Sequence, residues 1–286
     1  MKLTSMWKKA VVTATAVLTI GGASFAATPA ETYAEAAQNT ITQTAGEYAF
    51  NMNMSMPLIG SITANGMLDM QTLPSIKGKG TIQVNVAGKA VSPSTVYVEQ
   101  DGKNVTSYYS VTNEGKTTWK KQTQQLKSEH AVVDYIKDKH NVLAGVKSVT
   151  AAGNNTYQVV FDSSKIYSKD TIENIKIKYG ANEKAVDLTE KVLQALQQAG
   201  DVTTIVTIDL ATKKITKVEF PMTPQLRQVA LAVLDNANTT DANQAVIRQF
   251  IMNSNVTLAV ELKPLPAGID FTIPQDIKNQ AVASNK

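Results

Sequence analysis

The chain has no cysteine, and only two histidines and two tryptophans in 286 residues. Without thiols there is no disulfide, no thiolate metal ligand and no cysteine to carry a lipid anchor. His130 and His140 lie ten apart on one candidate helix, about 280° around it, so they cannot share a metal as an i, i+4 pair does. No G-x-S-x-G elbow, P-loop or G-x-G-x-x-G occurs, and Gly78-Lys79-Gly80 reads as a turn before a strand. Asp134 with Asp138 and Asp209 with Glu219 come nearest to paired carboxylates, but both pairs sit on polar faces beside lysines and read as solvated charge. No Lys/Arg cluster has aromatics interleaved, which argues against a nucleic-acid partner. These absences weigh against an enzyme, and no cofactor or metal is expected.

The beginning of the chain is of a different kind. MKLTSMWKKAVVTATAVLTIGGASFAA has lysines at 2, 8 and 9, an apolar run from about Ala10 to Ile20, and small residues at Ser24 and Ala26. It reads as a secretory signal, residues 1–26, cut after Ala26. The apolar run is well short of the roughly 20 residues a spanning helix needs. Removing three lysines and no acid lowers the formal net charge from +4 to +1, so the pI near 9.0 belongs partly to the signal. Residues 27–45 are rich in Ala, Thr and Gln with little apolar periodicity, and are expected to be a spacer or a loosely ordered lead-in.

From Gly46 the pattern changes abruptly. EYAFNMNMSM puts Tyr48, Phe50, Met52, Met54 and Met56 on one face of a strand, against Glu47, Ala49, Asn51, Asn53 and Ser55. ITANGMLDM follows with Ile62, Ala64, Leu68 and Met70 in step, and GTIQVNVAGK places Ile82, Val84 and Val86 together. TVYVEQDGKN, with Val96 and Val98 and an Asp101-Gly102 turn, leads into VTSYYSVTNEG and TTWKKQ. Consecutive strands with short polar turns make an antiparallel meander.

The second half mixes in helices: one at about 126–144 ended by Gly145, one at about 184–199 ended by Gly200, TPQLRQVALAVLDN, and AVIRQFIMN behind an Asp241/Gln244 capping pattern. Strands are expected at about 147–152, 156–162, 202–210, 214–221 and 254–263, and FTIPQDIKNQA closes the chain as a short strand with a final helical turn. The fold class is therefore α+β: one curled antiparallel sheet of about eleven strands, a half-barrel, with helices packed on its concave face. Residues 46–286 are expected to form a single domain.

YAFNMNMSM, GMLDM, SYYSVTNEGKTTWKK, the IDLATKKITKVEFPMT hairpin and FTIPQDIKNQA together resemble an uncharacterised family of exported Gram-positive proteins, which in turn looks like the LolA/LppX group. The resemblance implies a half-barrel closed by helices, in which several relatives carry a lipid or lipoprotein acyl chain. On that reading the ligand side chains are Tyr48, Phe50, Met52, Met54, Met56, Ile82, Val84, Val96 and Val98. Thioethers suit irregular or variable apolar surfaces, but they serve equally well as ordinary core. The possible partners are a lipid or other amphipathic ligand and an envelope protein, with no nucleic acid and no lipid anchor. The competing reading is an interaction or sensing module of the cell envelope whose trough is filled by its own side chains.

Three further expectations concern particular faces. In VTTIVTIDLATKKITKVEFPMT, residues 202–223, Val206, Ile208 and Leu210 share one face with Val218 and Phe220 of the return strand. The following helix, through Leu226, Val229, Ala230 and Val233, is expected to cover that face, leaving any ligand nearer the first hairpin. Tyr108 is expected to point away from Tyr109 and Val111, one of the two either rimming a trough mouth or joining a cross-strand aromatic pair, with Trp119 before Lys120 and Lys121 at a membrane-facing edge.

Overall fold

Alternation of apolar and polar residues with no proline in the interior makes Ala45–Met56 a long strand, β1. In the computed structural model, which describes residues 27–57, 60–126, 128, 145–167, 183–235 and 241–283, β1 is central to the sheet. The expected helix at 126–144, with His130, His140, Asp134 and Asp138, lies almost wholly outside the described residues.

The meander continues through β2 (Gly60–Gln71), β3 (Lys77–Val86), the two-residue β4 (Lys89–Ala90), β5 (Ser94–Asp101), β6 (Asn104–Asn113) and β7 (Lys116–Gln125). After β8 (Val146–Gly153) and β9 (Thr156–Phe161) come β10 (Val202–Asp209), β11 (Lys214–Pro221), β12 (Asn255–Lys263) and the two-residue β13 (Val282–Ala283). They form one open sheet of 13 strands in the order β13-β7-β6-β5-β3-β2-β1-β12-β11-β10-β9-β8, with β4 paired to β3. Every pairing is antiparallel except β13 on β7. The α+β class and the wide antiparallel sheet are as expected; the surplus over eleven is the two-residue strands. Gly78-Lys79-Gly80 is not a turn but lies inside β3, where a Cβ at Gly80 would run into the Met67 carbonyl of β2.

Residues 27–45 are the main departure from expectation. Pro29–Ile41 is a helix, α1, opened by a complete capping box: Thr28 Oγ1 accepts from Glu31 N at 3.2 Å and Glu31 accepts from Thr28 N at 2.8 Å. Tyr33, Ala36 and Ala37, spaced i, i+3, i+4, make one buried core cluster with Val159, Val206 and Ile208. Small alanines let the helix approach the sheet closely, which apolar counting undervalues. Its far end is tied down by Thr40 Oγ1 accepting from Ile215 N at 2.8 Å, by Asn39 Nδ2 donating to the Lys213 carbonyl at 3.0 Å, and by the Glu35 to Lys213 ion pair at 2.8 Å.

The other helices are α2 (Ser163–Ile166), α3 (Glu183–Gln198), α4 (Thr223–Asp235), α5 (Asp241–Met252) and α6 (Gln275–Gln280). The last of these lies on the opposite face of the sheet from α1, so the helices do not all share one face. Ile273, Ile277 and Ala281 bury Tyr97 and Tyr108, with Trp119 packed at their side and its ring 6.0 Å from that of Tyr97. Tyr108 therefore points outward as expected, but into a second small core. Residues 271–274 form no strand. Among the described residues no helix is long and apolar enough to cross a membrane.

Candidate ligand site

The register of β1 to β6 decides which side chains share a face. Tyr48 pairs with Leu68, Leu68 with Gly80, Gly80 with Val96, and Val96 with Tyr109. One row along, Phe50 pairs with Gly66 and Gly66 with Ile82; Met52 pairs with Ala64 and Ala64 with Val84; Met54 pairs with Ile62. Met70 and Gly78 bring Val98 into the same set. Directly paired residues project to the same side, so all nine expected ligand side chains, Met56 included, lie on one continuous sheet face. Each of them is half-buried. Met67, by contrast, is on the other face and 45 % exposed. Phe50 covers the backbone of β2: a Cβ at Gly66 would overlap its ring. Burial raises the Tyr48 hydroxyl above its ordinary range.

The same face continues across β12 and β11. Met52 pairs with Leu258 and Leu258 with Phe220; Phe50 pairs with Val260, and Val260 with Val218. At the Phe220 end a cavity of about 450 Å³ lies between sheet and helices. Phe161, Val202, Thr204 and Phe220 come from the strands, Ile166 and Tyr167 from the end of α2, Leu196 from α3, and Met222, Gln225 and Leu226 from the start of α4. No charged side chain is among the described residues that line it.

Polar contacts outside the cavity hold its walls. Asp162 caps α2 by accepting from Ser164 N at 3.0 Å, and Ser163 Oγ donates to the Gln197 carbonyl at 3.5 Å. The Gln197 amide donates to the Tyr167 carbonyl. Asp201, just before β10, accepts from Lys147 at 2.6 Å, which holds its carboxyl below the usual range; Asp162 is held low chiefly by the Ser164 hydroxyl. On the α4 side, Thr223 Oγ1 accepts from Val256 N at 2.9 Å and donates to the Val256 carbonyl at 3.2 Å. Arg227 donates through Nε and Nη2 to the Ser254 carbonyl at 3.1 and 2.9 Å. The first turn of α4 is thus pinned to β12 on both sides of Gln225.

The cover over the last hairpin differs from the sequence expectation. Val206 and Ile208, 2 % and 1 % exposed, sit under α1, with Val218 packed at the edge of that cluster. α4 meets the hairpin at the Phe220 end, where Leu226 and Phe220 face the same cavity. Val233 is 44 % exposed, and Leu210, beyond the end of β10, is 49 % exposed. The cavity is therefore at the last hairpin, with the expected ligand residues on the adjoining face rather than in its lining. Leu226, already marked by its helical stripe, was the available signal for it.

Among the described residues no group of three or more His, Asp or Glu is placed to hold a metal ion. Asp209 accepts from Ala211 N at 2.9 Å and Thr212 Oγ1 at 2.8 Å, and Glu219 pairs with Lys217 at 2.9 Å, so both carboxylates are committed locally.

No family model matches the chain, and no curated protein matches it. Solved structures similar to it include two from bacteria. LprF from Mycobacterium bovis is 10 % identical over 86 % of this chain and 96 % of that one, with a TM-score of 0.35. A LolA superfamily protein from Nitrosomonas europaea is 8 % identical over 88 % and 97 %, with a TM-score of 0.27.

Proposed function

We propose that this chain is an exported, non-enzymatic binding module for a lipid or other amphipathic ligand held between sheet and helices. The observation that carries this reading is the apolar cavity of about 450 Å³ and its continuity, through Leu258, with the half-buried face bearing Met52. That volume falls within the roughly 300–1,000 Å³ of small-molecule sites, which are mostly apolar with a few placed polar groups. Export rests on residues 1–26, and the mature chain would then begin one residue before the Thr28 cap of α1.

The test is native mass spectrometry of the protein purified from membrane-containing cells, followed by solvent extraction. A bound mass that extracts as an acyl-chain compound supports the reading. A single mass equal to the bare chain, with nothing extractable, sinks it and favours an envelope interaction module. The Phe50 ring over Gly66 and the sealing of Val206 and Ile208 by α1 speak for that second reading, since they fill part of the face from within.

A further inference from the structure

The cavity carries a feature that bears on ligand chemistry. Gln225 lines it and is only 8 % exposed, yet no hydrogen bond among the described residues takes its side-chain amide. Among the described residues the side-chain atoms fully sealed without a partner are Gln38 Nε2 and Asp69 Oδ1; the Gln225 amide is not among them, so it is not sealed off, and its residue lines the cavity. With no protein partner among the described residues, its two donors and one acceptor are left for water or a ligand in the cavity. Its backbone is fixed by the anchoring of Thr223 and Arg227 to β12, so the amide cannot readily leave. Beside it the described lining residues offer only neutral polar groups, on Tyr167 and Thr204.

Resting on the binding function proposed above, we infer that Gln225 is a specificity residue, and that the cavity takes an acyl chain whose head is uncharged and hydrogen-bonding, such as a glycerol ester, and rejects an ionised head. A carbonyl oxygen or hydroxyl can satisfy the amide. A carboxylate or phosphate would be desolvated with no cation among the described lining residues to offset it.

The experiment is displacement of an uncharged apolar fluorophore, N-phenylnaphthylamine, by monopalmitoylglycerol and by palmitate, at a pH well above the carboxylate range. The glycerol ester should bind at least about tenfold more tightly, because burying an unpaired carboxylate costs more than a hydrogen bond returns. As pH falls and palmitate becomes protonated, its affinity should rise while that of the ester stays level. Gln225→Leu should weaken the ester by about three- to tenfold, the range of one net hydrogen bond, and leave the fluorophore unchanged. Gln225→Arg should reverse the preference.

Two blocking variants place the site, Leu226→Trp from α4 and Leu196→Phe from α3, each checked for an unchanged melting transition. Either one, folded, should abolish ester binding. Equal affinity for ester and ionised palmitate, a Gln225→Leu variant with an unchanged ratio, or undiminished ester binding in the folded blocking variants would each overturn the assignment while leaving the binding function standing. Failure of every probe, the fluorophore included, would remove both.

Discussion

Tyr33 shows how much one side chain can report about the fold. It is 6 % exposed within the cluster of α1, β9 and β10, and burial pushes its hydroxyl up to about 12. The shift means that the folded state holds the proton more tightly than the unfolded chain, whose tyrosine titrates near 10. The stabilising difference is fully present below about pH 10 and is lost as pH rises through about 12. Two units correspond to roughly 2–3 kcal/mol. Wild type should therefore lose stability in denaturant titrations between those limits, and Tyr33→Phe should lose markedly less. Tyr108, also at about 12, is raised first by burial and then by Glu99, which accepts its hydroxyl at 3.0 Å and pairs with Lys278 at 2.6 Å. Some alkaline sensitivity should thus remain in Tyr33→Phe. A pH profile identical in wild type and variant would show that Tyr33 is not sealed as described.

At the scale of elements, period-two alternation made the strands legible. EYAFNMNMSM could bury its apolar side chains together only as an extended chain, and the pairing of Met52 with Ala64 and of Phe50 with Gly66 follows from it. The helix from Pro29 was missed for an equally physical reason. Its buried stripe is Tyr33, Ala36 and Ala37, and alanine contributes close approach rather than large buried area. The capping box at Thr28 and Glu31, with Pro29 at the first helical position, was the signal that outranked composition. Without α1, the hairpin's apolar face has only α4 as the neighbour that follows it in sequence. Deleting residues 27–41 distinguishes a spacer from a structural helix. Removal of a spacer would leave the melting transition unchanged. Removal of α1 would bare Val206, Ile208 and Val159, side chains worth roughly 1.5–3 kcal/mol each when buried. The truncated chain is expected to be unfolded or to bind hydrophobic dyes strongly, measured by circular dichroism and dye fluorescence. A cooperative transition at the wild-type temperature would restore the spacer.

At the scale of the whole molecule the candidate site was half legible. The shared face of Tyr48, Phe50, Met52, Met54, Ile82, Val84, Val96 and Val98 could be read, because register and alternation place it. The cavity could not, because it depends on where α2, α3 and α4 end in space, which no local period encodes. What joins the two is the row Phe220, Leu258, Met52, which crosses adjacent strands about 4.8 Å apart. A chain entering at Phe220 therefore meets the methionine face after about 10 Å of sheet, with Leu258 midway. Each added methylene that finds apolar cover contributes about 0.8 kcal/mol, close to fourfold in affinity, until the cover ends. In a series of monoacylglycerols of increasing chain length, wild-type affinity should keep rising beyond the length that fills the cavity. Leu258→Gln interrupts the row with an amide, so its affinity should follow wild type for short chains and level off for long ones. If wild type itself levels off at the length where the Leu258→Gln series stops, the ligand is confined to the cavity and the methionine face is ordinary core. If Leu258→Gln weakens short and long chains by the same factor, the effect is on stability or cavity shape, and the continuous path from Phe220 to Met52 is not used.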